Sequence, residues 1–429
     1  MLQPLSILFI VILTILIGFQ VVNALRSSDK AKIWSPLTFI GATLVYYIII
    51  PSLTSMKGYR ISGIRGQWIF YLSAVVFYCF VLLGYRVRVK GRFPRWNKMI
   101  TPNKVVTYGL FLFVIALVCY IPFRGFRTTL WDSDATLVTE RTGFVSYFID
   151  LISVLCASCG LLLVSSKKGI KPFNIGIFLG VLYLTFVVYV VAGFRVRLVY
   201  LILVLFTVYH LYSKPMRIHY LLILGIGIPI YFLFAAMDTT RVYGRGLNRE
   251  SLQEITIDEM ERGPRENTAV LYFSTLCTDY YNDTKEYVGF EPIVNAVLMP
   301  FPRALFPWKP EGLYIREAQL KTLGSYDAGA AFLCFTEGFI SFGWLGVVLY
   351  GFALGLLSSL FWRNYNENRH SIGAILLLAL FNGFCYQWVS RGYLGGNLNS
   401  FLYFVIVPFW LLSLINLLKR NKRDFVSNG

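Results

Sequence analysis

The sequence predicts an all-α fold, a polytopic bundle of transmembrane helices. Hydrophobic residues make up 56% of the 429 residues and the mean hydropathy is +0.61, which is too apolar for a soluble globular protein. The apolar runs are long and continuous, whereas the strands of a membrane barrel would be about half as long and would alternate in polarity. Helices are therefore the expected membrane-spanning elements.

Eleven apolar runs are candidate spans, because about 20 apolar residues are needed to cross a hydrocarbon core of about 30 Å. They are Leu5–Leu25, Leu37–Met56, Trp68–Tyr85, Val105–Phe123, Val145–Ser166, Phe173–Val191, Val196–Tyr212, Tyr220–Met237, Phe339–Trp362, Ile372–Val389 and Phe401–Leu418. We expect about 11 spans, with roughly 10 to 12 compatible with the pattern. Three parts follow: an N-terminal bundle of about eight spans, a long polar segment, and a C-terminal bundle of about three spans with a basic tail, at residues 1–237, 238–330 and 331–429.

The distribution of basic residues predicts the orientation in the membrane. One loop carries seven basic residues and no acid, which is typical of the cytoplasmic side: Arg86, Arg88, Lys90, Arg92, Arg95, Lys98 and Lys104. Alternating spans from that loop places the C-terminus in the cytoplasm and the segment 238–330 outside. The basic residues are dispersed among loops and form no continuous patch, so nucleic acid is not an expected partner.

The segment 238–330 is where we expect chemistry. It holds 14 of the 22 acidic residues and only 10 of the 40 basic residues. Three short amphipathic helices are predicted within it, beginning at the Ser251–Glu254 capping box, at about Asn267 and at Glu291-Pro292. We expect them to lie along the outer membrane surface.

A proline-rich strap, residues 300–310, follows the third of these helices. Its four prolines fix φ and prevent a continuous helix. It displays Arg303 and Lys309, cations suited to phosphate, among Phe306 and Trp308, whose flat faces suit sugar rings or lipid. The alternative is an interfacial hairpin whose aromatic residues form a membrane belt and whose cations meet lipid headgroups.

Further arginines stand at the outer ends of predicted spans. Arg195 and Arg197 lie in a very short outer turn, and Arg391 lies in Ser-Arg-Gly-Tyr at an outer mouth; charge so close to hydrocarbon is costly unless it is paired or functional. Arg241 recurs with Arg245 and Arg249 at every fourth residue, which would align them on one helix face. A solvated helix end is the alternative for that last group.

Two acids are candidate bases. Glu337 stands at the outer entrance of the ninth run, where it could be a base facing a cavity or the ion-pair partner of an arginine. Asp279 is the second candidate, although loop acids are most often solvated charges. The three histidines fall on the predicted cytoplasmic side, which leaves outer chemistry to carboxylates and arginines. We expect neither cofactor nor metal, since no nucleotide motif is present and Cys156 and Cys159, despite their spacing, lie in an apolar run suited to packing.

The chain resembles the bacterial oligosaccharide repeat-unit polymerases, the Wzy-type O-antigen and capsule polymerases. The resembling stretches are Phe301-Pro-Arg303-Ala-Leu-Phe-Pro-Trp-Lys309-Pro310, Thr336-Glu337-Gly-Phe-Ile-Ser-Phe-Gly343-Trp-Leu-Gly346, Gly193-Phe-Arg195 and Ser390-Arg391-Gly392. The resemblance implies transfer of a growing glycan from undecaprenyl diphosphate to a new lipid-linked repeat unit, at the outer face of the bacterial cytoplasmic membrane. It also implies a chain-length regulator and a flippase as partners, beside membrane lipids.

Under this hypothesis a set of basic residues binds the substrate diphosphate: Arg195, Arg197, Arg241, Arg303, Lys309 and Arg391. Glu337 is the base or the residue that orients an arginine, Asp279 is the second candidate, and Phe306 and Trp308 contact glycan or lipid. Two alternatives remain. A lipid-linked oligosaccharide flippase would place charges along a path within its spans, which here are nearly free of charge. A non-catalytic membrane glycan-binding protein would need no base.

Overall fold

The computed structural model describes residues 2–53, 63–87, 156–157, 159–160, 172–191, 195–212, 233, 266–299, 301, 305–308, 313–324 and 331–406. Within these ranges every regular element is helical and no strand occurs, so the all-α class is confirmed. The predicted runs at 105–123 and 220–237 and the predicted helix that begins at Ser251 lie outside the described residues, apart from position 233.

Thirteen α-helices, α1 to α13 in chain order, are described. They are Pro4–Arg26, Pro36–Leu44, Ile50–Leu53, Gln67–Arg86, Pro172–Val191, Arg195–Tyr212, Glu266–Thr284, Glu291–Leu298, Leu313–Leu323, Cys334–Phe342, Trp344–Glu367, Ile372–Ser390 and Leu394–Phe401. A 3₁₀ turn, Lys30–Trp34, follows α1, and π-helical turns at Val45–Ile49 and Leu402–Ile406 follow α2 and α13. Two of the short helices predicted for the segment 238–330 are confirmed as α7 and α8, whereas α9 was not predicted.

Five described helices are long and apolar enough to cross a membrane, and the chain is a membrane protein. These spans are Pro4–Arg26, Pro36–Leu53, Gln67–Arg86, Trp344–Glu367 and Ile372–Ser390, which match the first, second, third, ninth and tenth predicted runs. The sixth and seventh runs are helical as α5 and α6. The full number of spans stays a prediction.

The predicted start of the ninth span at Phe339 is wrong. Helix α10 ends at Phe342, and the spanning helix α11 begins only at Trp344. Gly343 between them has φ +59°, which a residue with a side chain would adopt only under strain. The two helices then pack so closely that a Cβ on Gly346 would collide with the carbonyl oxygen of Gly338. Apolar composition continues across this break, which is why hydropathy alone placed the boundary too early.

The second span contains a widened turn for a clear reason. Pro51 has no N–H to donate to the carbonyl four residues earlier, and its ring would clash with that carbonyl in a regular α-helix. The chain adopts a π turn at Val45–Ile49, in which the N–H of Ile50 donates to the oxygen of Val45. Tyr47 lies inside this turn and is fully buried.

The chain divides into two compact units. The first comprises residues 1–91, 266–363 and 384–399, and the second comprises residues 92–265, 364–383 and 400–429. In the second unit, α5 packs on α6. Cys156 and Cys159 lie there in an apolar cluster with Val181 and Leu201, which confirms their packing role.

The first unit depends on close backbone packing between α4 and α11. Gly84 on α4 faces the carbonyl of Phe352, and Gly351 and Gly355 on α11 face carbonyls of α4. A Cβ at any of the three would collide with a backbone oxygen, which cannot move aside as a flexible side chain could. Small residues four apart are the usual means by which membrane helices approach closely.

We expect Gly355→Leu to destabilise the protein by roughly 1–3 kcal/mol or more, because the added side chain forces α4 and α11 apart. Thermal unfolding of the purified protein in detergent, followed by the loss of the monodisperse peak, measures the change. Gly18→Leu is the matched control, since a Cβ there has no atom within 4 Å. Equal melting temperatures for the two variants would contradict the packing described here.

Candidate functional site

Arg391 lies immediately after the spanning helix α12 and forms an ion pair with Glu266. Its Nη2 contacts Oε1 of Glu266, the residue that opens α7. The exposed fractions of the two side chains are 28% and 15%. The pair is therefore neither fully buried nor freely solvated. A cation at this position also interacts favourably with the C-terminal end of the α12 dipole.

Two tyrosines from membrane spans complete this arrangement. The hydroxyl of Tyr47 donates to Oε1 of Glu266 at 3.2 Å, and the hydroxyls of Tyr47 and Tyr386 are 3.0 Å apart. Because the Tyr47 proton points to Glu266, Tyr386 is the donor in their mutual bond. The four residues, named here the Glu266–Arg391 cluster, connect the second and tenth predicted spans to the beginning of α7.

The loop that carries Arg391 is fixed by its backbone. The N–H of Gly392 donates to the oxygen of Phe332 at 2.6 Å, and Nδ2 of Asn397 donates to the oxygen of Arg391 at 2.5 Å. A Cβ on Gly392 would collide with the Phe332 ring, so glycine is required for this approach. Arg391 is consequently held both at its guanidinium group, by Glu266, and at its backbone, by Asn397.

Glu337 is fully buried in α10. Its Oε1 accepts a hydrogen bond from the Tyr314 hydroxyl at 2.6 Å, and the N–H of Leu394 lies 2.9 Å and 3.0 Å from its two carboxylate oxygens. Since Leu394 is the first residue of α13, the carboxylate caps that helix from another part of the chain. Burial raises the pKa of Glu337 to about 7, although the hydrogen bonds from Leu394 and Tyr314 favour the charged form.

Asp279 has a similar position at the beginning of α4. Its Oδ1 lies against Gly66, the N-cap residue of α4, and accepts a hydrogen bond from the Gly66 backbone. A Cβ on Gly66 would overlap the carboxylate. Burial raises the pKa of Asp279, the charge of Asp283 adds to this, and the Gly66 amide and Arg65 oppose it. Both candidate bases thus lie at the N-termini of helices to which they do not belong.

The structure places the predicted site residues as follows. Arg391, Glu337 and Asp279 belong to the first unit, each with its own partners, and Arg195 and Arg197 are in the first turn of α6 in the second unit. Phe306 and Trp308 form an edge-to-face pair at 5.8 Å. The remaining three, Arg241, Arg303 and Lys309, lie outside the described residues.

Of the two roles predicted for Glu337, base or ion-pair partner of an arginine, the second is taken at Arg391 by Glu266. Glu266 pairs with Arg391, whereas Glu337 receives its bonds from a tyrosine and a backbone amide. An acid directly after Gly-Pro-Arg and before an apolar stretch is a helix-start signal that could have drawn attention to Glu266. Tyr47 and Tyr386 carry no such signal, because tyrosine is common in apolar spans. The role of Glu337 as a base stays a prediction.

In the part of the chain that the structure describes, no group of three or more His, Cys, Asp or Glu side chains converges as a metal site would require. The chemistry available at the described site is that of cations, carboxylates and phenols. A guanidinium fixed at the end of a span can bind an anion at the membrane boundary. A carboxyl with a pKa near 7 can hold or release a proton at neutral pH.

We expect Glu266→Gln and Arg391→Met each to destabilise the protein by roughly 1–3 kcal/mol, between the values of exposed and buried pairs. Each change leaves one partly buried charge without its partner, so the double variant should be more stable than the sum of the single losses predicts. A double-mutant cycle of thermal unfolding measures this coupling. Glu286→Gln is the control, because the Glu286–Lys321 pair is exposed and its loss should change the melting temperature less than the loss of Glu266 does. Additive losses in the cycle would refute the coupling.

The free energy of unfolding should also depend on pH, through the protonation of the Glu337 carboxyl. The folded protein binds this proton more tightly than an unfolded chain with the ordinary pKa of 4.5, so stability falls as pH rises from 4.5 through about 7. Between pH 5 and pH 8 we expect this carboxyl to lower the free energy of unfolding by roughly 2–3 kcal/mol. Glu337→Gln should remove that part of the pH dependence. Parallel stability curves for the two proteins between pH 5 and pH 8 would show that the carboxyl does not titrate there.

Comparison of the chain with known protein families, with curated proteins and with solved structures finds no match. The fold and the site therefore rest on the geometry described above.

Proposed function

We propose that the protein polymerises lipid-linked oligosaccharide repeat units by glycosyl transfer from an undecaprenyl-diphosphate-linked glycan. The observation that carries this proposal is the placement of Arg391. It stands at the end of a membrane span, is fixed by Glu266 and its own backbone, and keeps 28% of its side chain exposed.

The position of Arg391 suits a lipid diphosphate. The headgroup of such a substrate lies at the boundary between hydrocarbon and water, which is where a residue directly after a span is found. A guanidinium has five N–H donors, more than one carboxylate can occupy, and binds phosphate oxygens in a bidentate manner. Glu266 can therefore orient Arg391 and still leave N–H donors of the guanidinium available to bind an anion.

The proposed reaction needs few catalytic groups. Cations stabilise the negative charge that develops on the departing diphosphate, and in this proposal Arg195, Arg197, Arg241, Arg303 and Lys309 assist Arg391. A sugar hydroxyl nucleophile needs at most one base, for which Glu337 is the first candidate and Asp279 the second. The exposed Trp308, with Phe306 against it, is available to glycan or lipid. Such a transfer requires no nucleotide, redox cofactor or metal.

The proposal includes an orientation and partners. The segment 238–330 faces the outside of a bacterial cytoplasmic membrane, and the C-terminus is cytoplasmic, as the basic loops indicate. The product would be an O-antigen, a capsule or another surface polysaccharide. A flippase would supply the substrate and a chain-length regulator would limit the product.

A non-catalytic membrane glycan-binding protein is the second candidate. The specific observation in its favour is that the carboxylates of Glu337 and Asp279 both cap helix N-termini, a structural role that would occupy them fully. In that case Arg391 and the proline-rich strap would bind the lipid-linked glycan without transferring it. An activity assay distinguishes the two candidates.

We expect the detergent-purified protein to convert lipid-linked repeat units into a ladder of polymers. In cells, Arg303→Ala, Arg195→Ala and Arg391→Ala should each abolish long glycan chains while the protein remains in the membrane, because each removes a proposed diphosphate ligand. Arg316→Ala, an exposed arginine on α9 in the same segment, is the matched control and should leave chain length unchanged.

The cellular glycan separates the alternatives. Single repeat units at the outer face indicate a lost polymerase, whereas their absence from that face indicates a lost flippase. Normal chain length in the Arg303 and Arg195 variants would remove these two residues from the site. Binding of the lipid-linked glycan by the purified protein without any ladder would favour the non-catalytic candidate.

A further inference from the structure

Helix α8, Glu291–Leu298, has one buried face and one exposed face, and the exposed face is apolar. Pro292, Asn295, Ala296 and Leu298 are buried. The exposed large side chains are Phe290 just before the helix, then Ile293, Val294 and Val297. Their spacing of three and four residues places them on one side of the helix. Phe290 and Val297 are the most exposed of the four, at 68% and 60%.

The change from polar to apolar exposure along the chain is abrupt. The four residues before Tyr287, namely Asp283, Thr284, Lys285 and Glu286, are all exposed and polar. From Tyr287 onward the exposed side chains of this segment are apolar through Val297, and exposed apolar residues continue at Phe301, Leu305 and Trp308. Such a boundary is expected where a chain passes from water to a less polar medium.

The beginning of this face is attached to the beginning of a membrane span. The N–H of Val288 donates to the oxygen of Ile340 at 3.1 Å, and the N–H of Gly289 donates to the oxygen of Ser341 at 3.0 Å. The rings of Phe290 and Phe342 meet edge to face at 4.9 Å. Only Gly343 separates Phe342 from the spanning helix α11, Trp344–Glu367.

The adjoining end of the span has the same kind of surface. Trp344, Leu345 and Leu349, in the first turns of α11, are exposed, as lipid-facing residues of a span are. Tryptophan at the end of a span is typical of the membrane interface. The apolar face of α8 therefore adjoins, through the Phe290–Phe342 contact, a surface that lipid must cover.

We infer that the apolar face of α8, formed by Phe290, Ile293, Val294 and Val297, docks on the bilayer and contacts lipid acyl chains at the membrane boundary where α11 begins. The helix lies in the interface with its buried face against the protein. Lipid contact here is independent of the reaction that the protein performs. It fixes the depth at which α8 sits on the membrane.

The test uses the full-length protein in vesicles of phosphatidylcholine and phosphatidylglycerol that contain a lipid with a diazirine in its acyl chain. After illumination, mass spectrometry of peptides locates the lipid adducts. We expect adducts on residues 290–297, adducts on residues 345–349 as the positive control, and at least tenfold fewer on the polar residues 283–286. Labelling of 345–349 without labelling of 290–297 would overturn the inference.

A charged variant of α8 and a second labelling reagent provide further tests of lipid docking. Val297→Asp places a charge in the proposed lipid contact and should lower adduct yield on 290–297 several-fold relative to 345–349, whereas Thr284→Asp, on the polar side, should not change it. A water-soluble carbene reagent applied to the wild-type protein measures whether residues 290–297 are exposed to water instead. Strong labelling of 290–297 by that reagent would mean exposure to water, and protection from both reagents would mean cover by protein; either result would refute lipid docking. The labelling of the wild-type protein by the two reagents is sufficient to test lipid docking, so misfolding of a variant would not affect the conclusion.

Discussion

Charge at the end of a membrane span has to be balanced within the protein, because hydrocarbon provides no counter-ion and little hydration. In the first unit this balance is the pair of Glu266 and Arg391, which joins positions 125 residues apart in sequence. The pair brings the start of α7 to the end of α12, and two buried tyrosines extend it into the spans. The loop after Arg391 leads directly into α13, whose first N–H group donates to the carboxylate of Glu337.

The two acids proposed as bases share a feature that only the folded chain reveals. Glu337 caps α13 from 57 residues away, and Asp279 contacts Gly66, the N-cap residue of α4, although it lies on α7. The N-termini of these helices need acceptors, because their first N–H groups have no partner within the helix. Gly66 has no side chain that could cap α4 locally, so a carboxylate from a neighbouring helix takes that place. Such an acid can be structural, catalytic or both, and its pKa reflects burial as much as chemistry.

The sequence predicted the features that depend on local composition. The helical class, five of the spans and the helices α7 and α8 follow from apolar runs, prolines and capping patterns. Arg391 was recognised as a residue that must be paired or functional, because a charge at that position is costly wherever the chain folds. Its partner was missed, since many acids were available and the choice among them depends on how α7 packs. The break at Gly343 was missed for a related reason: hydropathy does not distinguish one long helix from two that meet at a glycine with positive φ.

The widened turn in the second span sets the direction in which Tyr47 points. Each residue of an α-helix turns the chain by about 100°, so the extra residue of a π turn rotates the following part of the helix by a similar angle relative to the preceding part. The helix before the turn, Pro36–Leu44, and the helix after it, Ile50–Leu53, can therefore face different neighbours within one span, with Tyr47 in the turn between them. Deletion of one residue from the turn Val45–Ile49 would restore a regular α-helix through the span. The hydroxyl of Tyr47 would then no longer point to the carboxylate of Glu266, although the span would stay as apolar as before.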